Sequence, residues 1–169
     1  ALLMPSLAAA FYACGEDRIR LAGTRDALVL ALAAIREGFK VLQALGYPVT
    51  PKELGIFAWV PEPLLVAIFG RRLRHPLVEV ALAKHASTAR DEIQLLADEF
   101  IARARQTTVP TPAIDRLYAY FDPAAPPLPA GSAEIPLDWR AVWSGLALAG
   151  ALAAAVALGW RIGGRGKKA

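Results

Sequence analysis

Cysteine and histidine are nearly missing from this chain, and their scarcity removes whole classes of function. One cysteine, Cys14, cannot close an internal disulfide, and with His75 and His85 the only histidines, a Cys/His metal site lacks ligands. A reducing compartment and no structural metal are expected. β-Branched and aromatic residues are sparse while alanine is plentiful, which favours helices, so no sheet is expected anywhere. No Gly-x-Gly-x-x-Gly joins a strand to a helix. Gly163-Gly164-Arg165-Gly166 sits in the C-terminal tail, where no βαβ unit can form around it, so a nucleotide-binding half is lacking. Also lacking is a basic stretch before an apolar core with a cleavage site, which excludes a signal peptide. The chain starts at Ala1 without methionine and enters helix-like sequence at once, as a chain cut from a longer one would.

What is abundant is apolar. The hydrophobic fraction of 56% and mean hydropathy of +0.38 exceed the roughly 45–50% of a soluble domain, so a membrane segment is the first explanation to test. The net charge of +4 does not point to nucleic acid, because four of the nineteen basic residues, Arg161, Arg165, Lys167 and Lys168, flank the C-terminus and the rest are spread among acids.

Periodicity predicts a helical bundle. A first helix runs from Pro5 to Cys14 and ends at Gly15 in a left-handed cap. Thr24 opens a long helix that Gly46 closes; Leu28, Leu32, Ile35, Phe39 and Leu42 form its buried stripe, and Arg25, Asp26, Arg36, Glu37, Lys40 and Gln43 its wet face. Thr50, Pro51 and Glu53 form a helix-start signal, and Pro61 and Pro63 cut that helix short. Leu64 to Phe69 reads as a buried turn or two, ended by Gly70 and the basic Arg71, Arg72 and Arg74. Another helix begins at Pro76, with an interruption near His85 and Ser87 or Thr88 capping the next helix. That next helix carries Ile93, Leu96, Ala97, Phe100, Ile101 and Ala104, with Asp91 and Glu92 early and Arg103 and Arg105 late, matching the helix dipole. Thr111 and Pro112 start the last helix of the body, through Ile114, Leu117, Tyr118 and Phe121.

Residues 122–138 follow as a semi-extended linker, five prolines falling between Asp122 and Pro136. Residues 141–160 are twenty residues without a charge, about 30 Å as a helix and so enough for a bilayer core. Trp139, Trp143 and Trp160 sit near its ends, so residues 139–161 are expected to form a transmembrane helix, followed by a basic tail at 162–169. Ser144, Gly145, Ala149 and Gly150 would also suit close helix contact. The competing account is an alanine-rich helix packed on protein.

Four segments in register say more than "bundle": Arg36-Glu37-Gly38 with Ala44-Leu45-Gly46, then Arg90-Asp91-Glu92-Ile93, then Val109-Pro110-Thr111-Pro112, then Leu117-Tyr118. In this order they resemble the C-terminal helical domain of the ketopantoate reductase (2-dehydropantoate 2-reductase) family, whose fold is like that of the 6-phosphogluconate dehydrogenase C-terminal domain. The resemblance covers residues 1–121. It implies an all-α body that, with an N-terminal Rossmann domain binding NADPH, reduces a 2-oxo acid, ketopantoate, to pantoate on the way to pantothenate and coenzyme A.

The same resemblance places Glu92 where the family keeps a substrate-holding glutamate, and makes Ser87 the nearest counterpart of a serine that binds the substrate carboxylate. Each has a plainer role, Glu92 as a first-turn acid complementing the dipole and Ser87 as a cap. The family's catalytic lysine and its following asparagines precede the stretch that this chain covers. Lys84 and His85 do not match the lysine motif and are read as surface or boundary residues; Arg71, Arg72 and Arg74 are read as a solvated turn. The implied partners are the absent Rossmann domain, a small 2-oxo acid and a membrane at 139–161, with the body in the cytoplasm where NADPH chemistry belongs. A basic tail retained in the cytoplasm would place the body outside, so the two expectations conflict. The alternative from another class is a membrane-anchored, non-catalytic helical module whose apolar faces dimerise or meet another protein.

Overall fold

The computed structural model describes residues 3–76 and 89–165, with side chains to Ala155. Among the described residues the chain is all-helical, with eight α-helices and no strand. These are α1 (Leu3–Ala13), α2 (Arg18–Gly23), α3 (Arg25–Ala44), α4 (Ile56–Trp59), α5 (Glu62–Leu73), α6 (Arg90–Ala104), α7 (Pro112–Tyr118) and α8 (Arg140–Arg165). They divide into two compact units, Ala1–Leu137 and Asp138–Ala169.

At the centre of the first unit lies α1. Its Ala8, Ala9 and Ala10 are buried together with Phe11 and Tyr12, and their small side chains let α3, α6 and α7 approach it closely. Gly15 and Gly46 end α1 and α3 as expected, at φ of 69° and 81°; the amides of Glu16 and Tyr47 reach back to the carbonyls of Phe11 and Leu42 at 3.0 and 2.9 Å. A second apolar cluster, Leu32, Ile35, Phe39, Phe57 and Leu65, joins α3 to α4 and α5. Phe57 packs between Phe39 and Phe69, with ring centroids 6.4 and 5.4 Å apart.

Several local expectations are corrected. Helix α2 has no counterpart in the periodicity; Asp17 starts it by accepting the amides of Ile19 and Arg20 at 2.7 and 3.0 Å. The helical stretch after Pro51 is short and ends before Pro61, as expected. Leu64 to Phe69, however, is no buried turn: it lies in a helix of twelve residues that Pro61 and Pro63 begin, Pro63 standing where an amide proton would have no partner anyway, and Leu64 and Ile68 are exposed. Gly70 lies inside that helix, because a Cβ there would stand 3.1 Å from the Ala22 carbonyl where α2 crosses. Thr50 is exposed and caps nothing; the turn from Lys52 to Gly55 is 3-10, since too few residues separate Pro51 from Pro61 for a longer helix. Thr24 and Thr111 stand at N-cap positions without side-chain cap bonds, and α6 starts at Ala89 likewise. The expected helix from Pro76, its interruption, Ser87 and Thr88 lie in residues 77–88, outside the described ones.

Residues 122–137 are semi-extended but belong to the first unit as a docked strap, not a free linker. Asp26, expected on the wet face, is buried and takes the strap amides of Glu134 and Ile135 at 3.0 and 2.9 Å. Thr24 Oγ1 donates to the Arg20 carbonyl at 2.8 Å and accepts the Gly131 amide at 3.1 Å. Arg25 donates to the carbonyls of Ala133 and Ile135, and the Leu128 amide bonds to the Ala13 carbonyl at 2.8 Å. Prolines leave the strap few amides of its own, so side chains of α3 and α2 satisfy its backbone instead.

In the second unit Asp138 accepts the Arg140 amide at 3.0 Å and starts α8, and every residue from 143 to 155 is exposed. Among the described residues no helix is long and apolar enough to cross a membrane, so the expected span at 139–161 receives no support from them.

Candidate functional site

Glu92 occupies the first turn of α6, exposed beside Asp91, and is absent from the linings of the cavities described below. Its carboxylate stands at the start of α6, where its oxygens can accept a hydrogen bond from a hydroxyl. Ser87, Lys84 and His85 lie outside the described residues. Arg71, Arg72 and Arg74 are exposed, as a solvated segment would be, but Arg71 and Arg72 lie in the last turn of α5 and only Arg74 follows it.

The residues next to Glu92 do structural work. Arg90, two positions earlier, stands 3.8 Å above the Tyr12 ring, pairs with Glu16 at 2.6 Å and donates to the Phe121 carbonyl at 3.2 Å. It thereby ties α6 to the end of α1 and to the turn after α7. A cavity of about 230 Å³ opens beside it, lined by Tyr12, Glu16, Tyr120 and Pro123 among others. Burial pushes the Tyr12 phenol above its ordinary value, the cation of Arg90 opposing that shift. These contacts join α6 to α1 and to the turn after α7.

Glu37 is the second residue whose role the pattern hides. Its carboxylate accepts the Ala113 amide at 3.0 Å and the Ile114 amide at 3.0 Å, capping α7 in place of Thr111. Burial holds its carboxyl above the usual glutamate range, against the lowering effect of those two amides. Arg36 beside it donates to the carbonyls of Phe57 and Val60, both at 2.8 Å, and meets the buried Glu62 at 3.5 Å. Neighbours in sequence, the two side chains fasten α3 to α7 and to α4. An acid and a base placed just before a glycine were the available signal, but on a helix they read equally as wet face.

Two further polar pairs join α6 and α7. Tyr118 bonds Asp98, which raises its phenol, and Arg105 meets Asp115 at 2.6 Å across the α6–α7 turn. A groove of about 290 Å³ between the end of α3 and α6 is mostly apolar, lined by Leu42, Leu45, Tyr47 and Leu96, with Glu99 and Arg103 at its edge. Cys14 is buried, and burial pushes its thiol up to about 11, so it is not a nucleophile at neutral pH. Among the described residues no group of three or more His, Cys, Asp or Glu could hold a metal ion.

No strand exists among the described residues to carry a glycine-rich turn, and the Gly163-Gly164-Arg165-Gly166 run lies at the end of α8 and beyond it. No hydride transfer is therefore derived from these residues. The class that fold and surface define is a helical body with a strap and a separate apolar helix. No protein-family model, no curated protein and no solved structure matches the chain.

Proposed function

We propose that this chain is the substrate-side helical domain of an NADPH-dependent 2-oxo acid reductase resembling 2-dehydropantoate 2-reductase, tethered to a membrane through residues 139–161. The observation that supports this most is where the resembling segments sit. Arg36 and Glu37 fasten α3 to its neighbours, Gly46 ends α3, Arg90 fastens α6, and Pro112 starts the helix that Glu37 caps. Residues shared for the sake of a fold are expected at such joints. Glu92 is left exposed at a helix start, suited to accept a substrate hydroxyl from a second domain laid against it. NADPH would be held by that domain, the proton-donating lysine would come from the stretch of the helical domain that precedes this chain, and Ser87 is proposed to take the substrate carboxylate.

The tether is supported by the charge-free stretch 141–160, by Trp139 and Trp160 at its ends, and by the exposure of residues 143–155. An apolar helix exposed all round needs an apolar medium or a protein partner. The body is proposed to face the cytoplasm, and protease access to the basic tail in sealed vesicles tests that side.

The reductase test joins the chain to the reading frame upstream of Ala1 and follows NADPH oxidation by ketopantoate. Losing one hydrogen bond to substrate costs about 1.5–3 kcal/mol, so Glu92→Gln should lower kcat/KM roughly 10- to 100-fold. An upstream frame with no glycine-rich strand–turn–helix, or an unchanged kcat/KM, sinks the proposal. The second outcome would favour a non-catalytic membrane-anchored module.

A further inference from the structure

Helix α5 hides one face and shows another of unusual make-up. Its exposed residues Leu64, Ala67, Ile68, Arg71 and Arg72 recur at spacings of three and four, forming one stripe that is apolar in its first half and cationic in its second. Arg74 extends the cationic end, and α4 adds Ile56 and Trp59, the latter 73% exposed. No acid offsets the three arginines within α5, because its single carboxylate, Glu62, is buried against Arg36. Arg18 already donates to the Leu73 carbonyl at 3.1 Å, so the end of the helix has a cation bonded to it without Arg71, Arg72 or Arg74. Near α4 the exposed Lys52 and Glu53 cancel one another.

We propose that this surface docks the body onto an anionic lipid surface, with Trp59, Leu64 and Ile68 entering the headgroup boundary and Arg71, Arg72 and Arg74 meeting lipid phosphates. Indoles favour that boundary, an apolar stripe supplies burial, and clustered arginines are drawn to negative headgroups. Among the described residues of α5 and its C-terminal end the exposed charge is one-signed, which an acidic bilayer complements. The patch rests on residues of the first unit alone; it shares with the proposed tether only the bilayer that both would meet.

The experiment uses the full chain with Trp139, Trp143 and Trp160 changed to Phe, leaving Trp59 as the sole indole. It is mixed with vesicles of phosphatidylcholine, alone or with phosphatidylglycerol, carrying brominated acyl chains. Flotation with neutral vesicles reads the tether, and quenching of Trp59 reads the patch. Expected is strong quenching in the anionic mixture, weak quenching in the neutral one, and reversal by salt. Arg71→Gln, Arg72→Gln and Arg74→Gln together should cut the affinity of docking roughly 100-fold, while Arg→Lys at the same three positions keeps it. A chain that floats with Trp59 unquenched in both mixtures overturns the patch and leaves the tether. A chain that does not float with neutral vesicles but is quenched by anionic ones overturns the tether and upholds the patch. Quenching equal in both mixtures, or Trp59 protected in a second copy without lipid, overturns anionic docking.

Discussion

Changing Asp26 to Asn isolates the tie between the proline-rich strap and α3. The buried carboxylate accepts the Glu134 and Ile135 amides at 3.0 and 2.9 Å through separate oxygens. A hydrogen bond to a charged group contributes about 1.5–3 kcal/mol, and a neutral one about 0.5–1.5. Asparagine keeps one acceptor and turns a donor toward the second amide, so one bond is lost and the other weakened, at about 2–3 kcal/mol. Thr24 still holds the Gly131 amide and Arg25 still holds the Ala133 carbonyl, so the strap should open locally while the body stays folded. Amide exchange at Glu134 and Ile135 should then speed up roughly 30- to 100-fold, with the Gly131 amide much less affected. Acid should do the same to the parent. Burial alone would raise the Asp26 carboxyl, but the Ile135 and Glu134 amides together with Arg25 hold it below the usual aspartate range. A lowered native value means stabilisation fully present above about pH 4 and lost as pH falls through that value. Exchange within twofold of the parent, or an acid dependence surviving in Asp26→Asn, would refute the carboxylate tie.

Glu37→Ala should cost about 1–2 kcal/mol, as for a lost helix cap, read as a lower urea midpoint. Because burial raises the Glu37 carboxyl, its contribution is complete below about pH 4 and declines as pH rises through the raised value; Glu37→Gln should flatten that limb of the stability profile. Arg90→Met should destabilise by about 2 kcal/mol through the lost ion pair, carbonyl bonds and ring contact. Since Arg90 lowers the Tyr12 phenol, an ultraviolet titration of the variant should show one tyrosine moved further up. Cys14 should resist a thiol reagent at about pH 8 in the native chain and react on unfolding, its native pKa standing well above the ordinary thiol value of about 8.5; rapid native reaction would contradict its burial.

The elements legible in the sequence are those with a period or a glycine stop. Leu28, Leu32, Ile35 and Phe39 are all buried, and Gly46 ends α3 in the left-handed region. What the pattern hides is long-range polar contact. Asp26 and Glu37 are acids on a helix whose hydrophobic stripe is elsewhere, and nothing local distinguishes them from solvated acids. Their partners are the amides of residues 76 to 109 positions away. Proline misleads in the same way: Pro63 reads as a breaker because a proline biases its predecessor away from helical geometry, although a helix tolerates it at the second position. Leu64 and Ile68 read as buried for being apolar, yet both face outward.

This division between joint and surface bears on how far the resemblance reaches toward chemistry. Glu37, Gly46, Arg90 and Pro112 each have a structural task in this body, so any chain with the same arrangement of helices could carry them, reductase or not. Glu92 differs: its neighbours Arg90 and Ile93 are committed to an ion pair and to the core, whereas its own side chain is exposed. Dipole complementarity would be met as well by Asp91 alone. The weight of the catalytic proposal therefore falls on that one carboxylate, and a change confined to it separates a chemical role from a structural one.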